Sequence, residues 1–311
     1  MVKLGLVGAG RWGRNYIKTI STLDGVCLTR LASRNPESQS LVDANCEITT
    51  NWQSLISAGD LDGVIVATPP DLHAEMALAA ISARLPVLVE KPLTLNLAQA
   101  EKLLKQSIEQ GVLIMVEHTH LFHPAFEALC MKSAFLGPIL AIRAEASNHG
   151  PYRSDVSVLW DWGAHDIAMC IALTGTSPRA RSATCYESCN VEGGIGESIH
   201  LELEWPDGMI ADIRLSNISV RRRRFTVFFE RGVLVYDDMA NNKLVMHPAQ
   251  HFEEQLRGLG RALPFANCFP LTRAVASFVG SIKSKAISHD SLALGVDVTR
   301  VLAECERLVK L

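Results

Sequence analysis

Lys3-Leu4-Gly5-Leu6-Val7-Gly8-Ala9-Gly10-Arg11-Trp12-Gly13 decides the fold. An apolar run leads into Gly-x-Gly-x-x-Gly, and an amphipathic stretch over residues 15–23 follows. That order reads as strand, tight turn and helix. Each glycine has its own task in such a turn. Gly8 permits the sharp reversal, Gly10 lets a pyrophosphate approach the backbone, and Gly13 lets the helix pack closely on the strand. The N-terminus of that helix offers N–H groups and a partial positive charge to phosphates. A glycine-rich turn without a ligand is the blander alternative, but the strand before it and the helix after it favour a dinucleotide. Arg11 and Trp12, between the glycines, belong to the expected site.

Outward from this turn, apolar runs at residues 26–32, 64–67, 87–89 and 112–116 alternate with helical patterns at 72–83 and 96–110. Thr94 is the expected N-cap of the second helix and Gly111 its stop. Alternation of this kind predicts βαβ units on a doubly wound parallel sheet, a dinucleotide-binding domain over residues 1–120. Past residue 121 the pattern changes: a helix at 123–134, a strand near 139–146, then a loop and helix within 148–173. Residues 180–247 alternate apolar and polar, with turns at Pro206-Asp207-Gly208 and Glu230-Arg231-Gly232. These predict antiparallel hairpins with one covered face. Helical patterns at 271–285 and 291–308 close the chain and could pack back on either domain; the α+β domain over 121–311 is expected to bind substrate and to oligomerise. Its open sheet would leave an apolar face at 180–247, so a homo-oligomer, dimer or tetramer, is expected.

The chain of 311 residues suits about two domains, and 48% hydrophobic with 20% charged residues excludes a disordered or fibrous protein. A net charge of −3 provides no field for nucleic acid or an anionic membrane. No apolar stretch reaches the ~20 residues that span a bilayer, and no secretory leader pattern is present. Eight cysteines without a CxxC suggest reduced thiols and a cytoplasmic protein.

The end of the second strand bears on which dinucleotide binds. An NAD site places Asp or Glu there for the ribose hydroxyls. This chain has Ala32-Ser33-Arg34, with no carboxylate before Glu37. Arg pairs with a 2′-phosphate that a carboxylate would repel. Ser33 and Arg34 therefore predict NADP in preference to NAD, unless Arg34 only stacks on adenine or lies in solvent.

Three more segments complete a pattern: Val64-Ile65-Val66-Ala67-Thr68-Pro69-Pro70 with His73, then Glu90-Lys91-Pro92-Leu93, then Trp160-Asp161-Trp162-Gly163-Ala164-His165-Asp166. With the glycine-rich turn, they resemble the Gfo/Idh/MocA oxidoreductases across nearly the whole chain. The stretch from Ser147 through Asn148, Arg153 and Asp155 to Trp160 is similar to the branch acting on nucleotide-linked amino sugars. The resemblance implies NAD(P)-dependent hydride transfer at a hydroxyl-bearing carbon of a sugar-type small molecule. It implies cofactor contacts from Thr68, Pro69, His73, Glu90 and Lys91, and substrate contacts from His118, Asn148, Arg153, Trp160, Asp161 and His165. One departure stands out. The family's D-x-G-x-H-x-x-D pattern has Asp161, Gly163 and His165 but Ala168 at its last place, with Asp166 a candidate substitute.

Chemistry assigns the roles. The Lys91 ammonium would stabilise charge on the reacting oxygen, and His165 would accept the hydroxyl proton. Asp161, four residues earlier on a helix, shares a face with His165 and would orient it or bind a sugar hydroxyl. The two groups, from separate lobes, are expected beside the same nicotinamide. Glu90 is expected to hold Lys91 or the backbone in place. His118, His120 and His123 lack a converging set of three or four ligands, so no metal is expected; on a strand His118 and His120 would share a face, and His118 or His120 would line the cofactor or substrate cleft. Arg221, Arg222, Arg223 and Arg224 would alternate on a solvated or subunit-interface strand, and Cys185 and Cys189 would pack rather than pair. Arg153 suits either an anionic substrate group or a structural ion pair. A polyol or diol substrate, or a sensor that binds a dinucleotide without turnover, are the competing functions; the presence of both Lys91 and His165 argues against the sensor.

Overall fold

The computed structural model describes residues 1–249 and 260–309. The chain forms two compact units, Met1–Thr119 with Phe269–Thr299, and His120–Cys268 with Arg300–Leu311.

In the first unit, β1 (Val2–Val7), α1 (Arg11–Ile20), β2 (Val26–Ala32), β3 (Glu47–Thr49), α2 (Trp52–Ile56), β4 (Gly63–Val66), α3 (His73–Ser82), β5 (Val87–Glu90), α4 (Leu97–Gln110) and β6 (Ile114–Glu117) follow in order. The six strands are parallel, in the order β3-β2-β1-β4-β5-β6, so the winding reverses between β1 and β4. Helices cover both faces, which is why β4, β5 and β6 are buried at every residue and read as continuous apolar runs. The helix α1 starts at Arg11, four residues before its apolar periodicity becomes visible, because its first turn packs through Gly13 rather than through side chains. Asn96, not Thr94, caps α4: its Oδ1 accepts the Gln99 N–H at 3.1 Å, while Thr94 Oγ1 accepts the Asn96 N–H at 3.0 Å. Thr94 is two residues too early to reach the first turn and instead braces the cap. Gly111, at φ +60°, ends the helix as expected.

In the second unit, α5 (Pro124–Ser133), β7 (Ile139–His149), α6 (Val158–Thr174), β8 (Arg179–Val191), β9 (Gly194–Glu204), β10 (Ile210–Ser216), β11 (Ile218–Phe229), β12 (Gly232–Asp237), β13 (Leu244–Pro248) and β14 (Arg261–Ala262) build an eight-stranded sheet. Its order is β14-β13-β12-β11-β7-β10-β9-β8, antiparallel except where β10 runs parallel to β7. Ile199, Leu201 and Leu203 of β9 are buried between half-exposed His200, Glu202 and Glu204, the period-two signature of one covered face. The helix α6 covers that face; a Cβ on Gly163 would lie 3.2 Å from Leu215 of β10. β7 is longer than expected and takes Ser147 and Asn148 out of the loop, because β10 and β11 pair with it on both sides as far as Ser147 and beyond.

The other face corrects the expectation of an apolar surface. It carries Arg143, Glu145, Asp212, Arg214, Arg222 and Arg224 around a cavity pair, with Arg222 bonded to Glu145 at 3.0 Å. Charge pairing takes the place of apolar burial here: Arg222 meets Glu145 across strands, Arg214 meets Asp212 within β10 at 3.3 Å, and Arg143 lies 5.4 Å over the Phe228 ring. The arginine run does not alternate cleanly either. A register shift between Ile218 and Arg222 sends Arg221, Arg222 and Arg224 to one cavity, while Arg223 lies 5.6 Å over the Trp162 ring.

The helices α7 (Pro270–Ser284) and α8 (Asp290–Val309) close the chain. In the first unit Phe278 and Ile282 of α7 lie where a Cβ on Gly63 would stand, and Leu292 and Val296 of α8 join the core beside Val116 and Leu93. No helix among the described residues is long and apolar enough to cross a membrane.

Candidate functional site

The glycine-rich turn sits at the carboxyl edge of the parallel sheet, beside the reversal between β1 and β4, where open α/β sheets take their ligands. Gly8 has φ +99°, and a Cβ there would meet Ala67 O at 2.5 Å; a Cβ on Gly13 would meet Gly8 O at 2.0 Å. Around Gly10 the space is open to 4 Å. Gly10 is also the N-cap of α1, and no side chain caps it, so the first N–H groups remain available to an anion. A cavity of about 880 Å³ opens here, ample for a dinucleotide.

Gly8, Gly10, Arg11, Ser33, Arg34, Thr68 and Pro69 all line this cavity. Gly13 is buried behind it, and Trp12 is exposed without lining it. Further lining residues not singled out in the sequence include Arg14, Lys18, Asn35, Thr50, Trp52 and Met76. Among the described residues, the wall contains four cationic side chains, Arg11, Arg14, Lys18 and Arg34, and no carboxylate. Glu37 is turned to solvent, 4.0 Å from Arg14. Shape and charge thus fit a dinucleotide and its phosphates.

At the ends of β5 and β6 the structure gathers a second group. Glu90 is buried; its Oε1 accepts the Tyr16 hydroxyl at 2.8 Å and its Oε2 accepts the Lys91 backbone N–H at 3.2 Å. Glu90 therefore anchors the strand end that presents Lys91. Burial, then Glu90, raise the Tyr16 hydroxyl well above its ordinary value, so Tyr16 keeps its proton and donates. His73 is 1% exposed, and its ring nitrogens lie 2.9 Å from the carbonyl oxygens of Pro92 and Thr68. Burial lowers its pKa against the pull of the two carbonyls. The ring ties the Thr68-Pro69 turn to the Lys91-Pro92 segment and does not line the cavity.

His118 is fully buried, and burial followed by the Lys91 charge pushes its pKa down to about 3, so it stays neutral. Its backbone N–H bonds to Val116 O, and a 3-10 turn over Thr119–Phe122 follows at once. The expected shared strand face of His118 and His120 is therefore absent: the strand ends at Glu117, before either histidine. Among the described residues, no three His, Cys, Asp or Glu side chains are grouped to hold a metal ion.

In the second unit, α6 carries Asp161 and His165 one turn apart, with His165 6% exposed. His120 stands edge-on to His165, ring centroids 5.1 Å apart, and its Nδ1 lies 3.1 Å from the Tyr236 hydroxyl. Burial raises Tyr236, which stays a phenol. Arg153 makes two bonds to Asp155, at 2.9 and 2.6 Å, and lies 3.8 Å from Asp161. It thus makes the ion pair expected as one alternative, while its side chain, 34% exposed, keeps open surface beside that pair. Asn148 is half-buried on β7, and Trp160 is 4% exposed. Asp166 is not on the Asp161–His165 face; it turns toward Arg223, and burial, opposed by Arg223, pushes its carboxyl up to about 6. Ala168 is fully buried, leaving no carboxylate at the position where the family pattern has one. Cys185 and Cys189 are both free, Cys189 exposed rather than packed.

Comparison with known proteins places these features in a family. A profile described as the oxidoreductase family with NAD-binding Rossmann fold matches residues 2–118, and the C-terminal domain profile of the same family matches 130–235. A 4-carboxy-2-hydroxymuconate-6-semialdehyde dehydrogenase from Sphingobium sp. is 26% identical over 98% of each chain. A UDP-N-acetylglucosamine 3-dehydrogenase from Acidithiobacillus ferrooxidans is 24% identical, over 97% of this chain and 94% of its own. A crystal structure from Magnetospirillum magnetotacticum, of a chain assigned to the oxidoreductases, superposes with TM-score 0.92 at 47% identity, covering 98% of this chain and 99% of that one. Biliverdin reductase from Synechocystis sp., solved with biliverdin and NADP⁺, shares the fold at TM-score 0.82 and 19% identity, over 100% and 99% of the two chains. The glycine turn, the Glu-Lys-Pro strand end and the Asp-x-Gly-x-His helix are one inheritance: the chain belongs to the GFO/IDH/MocA family of NAD-binding oxidoreductases.

Proposed function

We propose that this chain is an NADP-preferring oxidoreductase moving hydride between nicotinamide and a hydroxyl-bearing carbon of a sugar or nucleotide sugar. The observation that carries the cofactor reading is the cavity wall with Arg11, Arg14, Lys18 and Arg34 and no acid. A 2′-phosphate gains from each of these charges, whereas an NAD site would show a carboxylate for the ribose. The sugar reading draws support from the likeness to the UDP-N-acetylglucosamine dehydrogenase along nearly the whole chain.

The bound nicotinamide supplies the hydride acceptor or donor. The protein handles the proton and the charge on oxygen. Lys91 donates a hydrogen bond to the reacting oxygen and stabilises it as alkoxide character develops. His165 takes the hydroxyl proton in the oxidative direction and returns it in the reductive one. Asp161 sets the position of the sugar hydroxyls or of the His165 ring. Glu90 and His73 hold the segments from which Lys91 and Thr68 project, and Arg153 and Asn148 bind outlying groups of the substrate. The unit of residues 1–119 with 269–299 serves the dinucleotide and the unit of 120–268 with 300–311 the substrate and self-association, within a reducing cytoplasm; the closing helices divide between the two units, which moves the boundary from a single break at 120. A second reading has one observation behind it: the Sphingobium relative is named for a semialdehyde bearing a carboxylate, an anion that Arg153 also suits.

One assay tests these readings together. Reduced-nicotinamide absorbance is followed with NADP and with NAD across sugars, polyols, nucleotide sugars and carboxylated semialdehydes. Turnover is expected in the sugar or nucleotide-sugar class, with the lower KM for NADP. Arg34→Ala should raise the KM for NADP about tenfold or more, as loss of a charge-assisted bond of ~1.5–3 kcal/mol requires, and leave NAD nearly unchanged. Equal or NAD-favouring constants in the parent protein would discard the NADP preference. A blank across the panel, with tight NADP binding, would discard the enzyme in favour of a sensor.

A further inference from the structure

The carboxyl ends of β5 and β6 hold two glutamates side by side: Glu90 and Glu117 are register partners on neighbouring parallel strands, 5% and 0% exposed. Water reaches neither well enough to screen two like charges. The donors around them are unequal. Both oxygens of Glu90 accept hydrogen bonds, from the Tyr16 hydroxyl on α1 and from the Lys91 backbone N–H. Glu117 is bonded by Thr119, whose hydroxyl donates to Oε2 at 2.5 Å, and its Oε1 is buried with no hydrogen-bond partner. Two neighbouring buried carboxyls share one negative charge, and the proton settles on the group with fewer donors.

We propose that Glu117 is a positioning residue held as a neutral acid against the Glu90 carboxylate, so that Lys91 works over one buried negative charge instead of two. This rests on Lys91 being the group that meets the reacting oxygen. A second carboxylate nearby would bind the ammonium more tightly within the protein and blunt its pull on a developing alkoxide. The titratable neighbours of Glu117 are Glu90 at the end of β5, Lys91 just after it, Tyr16 on α1, and His118 beside it in the chain. Tyr16 and His118 are held neutral, which leaves Glu90 and Lys91 as the charges it feels. Burial first and Glu90 second push Glu117 up to about 8, against Thr119 and Lys91, in accord with the count of donors.

The test compares the full-length protein with Glu117→Gln. A carboxyl that is protonated when folded and ionised at ~4.3 when unfolded gives a native state that binds the extra proton between those limits. Wild-type stability therefore falls relative to Glu117→Gln as pH rises from ~4.3 to about 8, and the gap is constant above. Thermal midpoints from pH 5 to 9 should diverge accordingly, the variant ending more stable by several degrees. Infrared spectra of the wild type, which need no variant to fold, should show a buried protonated-carboxyl band that fades as pH passes about 8. With the substrate found in the panel, the kcat ratio of variant to wild type should climb severalfold across the same pH, while the KM for NADP holds. Parallel stability curves, or no such band, overturn the neutral acid; a flat kcat ratio overturns the positioning role. Full activity of Lys91→Ala would instead sink the reading of Lys91 and leave the stability comparison standing.

Discussion

At the scale of single residues, the site divides into groups that announce themselves in sequence and groups that do not. Lys91, His165 and Asp161 stand in motifs that resemble the family's, and that resemblance is what proposes their chemistry. Replacing Lys91 or His165 by Ala should lower kcat by ~10²–10⁴ with the fold intact, as expected for a lost charge stabiliser or proton acceptor. Steady-state kinetics paired with circular dichroism checks this, and full activity in either variant would refute its role. Tyr16, Glu117 and Tyr236 were illegible. A tyrosine on an amphipathic helix reads as core, a glutamate after an apolar run reads as a solvated strand end, and nothing in either local pattern names a partner. Tyr16 meets Glu90 across 74 residues of chain and His120 meets Tyr236 across 116. His73 shows the reverse: its motif suggested a cofactor contact, and the structure has its ring spanning two backbone carbonyls.

At the scale of elements, the strand–turn–helix at the start of the chain is the most constrained piece. Gly13→Ala would drive a Cβ to within 2.0 Å of the Gly8 carbonyl, so backbone must move and the cradle with it. A fall in thermal midpoint together with a loss of NADP affinity is expected, measured by calorimetry and cofactor titration. Asn96→Ala serves as contrast. Removing the α4 cap should cost about 1 kcal/mol of stability and leave cofactor affinity unchanged, since Asn96 is not among the residues lining the cavity. Element types were legible because buried parallel strands and one-sided antiparallel strands differ in periodicity. Their ends were not. Caps depend on which side chain reaches the first turn, and the length of β7 depends on its partners β10 and β11.

At the scale of the whole molecule, the sheet face away from α6 holds the least expected result. It is lined with paired charges such as Arg222 with Glu145 and Arg214 with Asp212, the latter 3.3 Å apart. We still propose self-association through this sheet, now by complementary charge rather than by apolar burial. Light scattering should give the mass of a dimer or tetramer at low salt, shifting toward monomer as ionic strength rises and screens the pairs. A monomer at all salt concentrations would reject it. The sequence by itself determined what is local: a glycine where only a glycine fits the turn, a periodicity that matches one or two covered faces, a strand end without an acid. Tertiary structure alone decided which charges survive and whom they face, because protonation follows burial and separation, and those arise only when distant strands are paired.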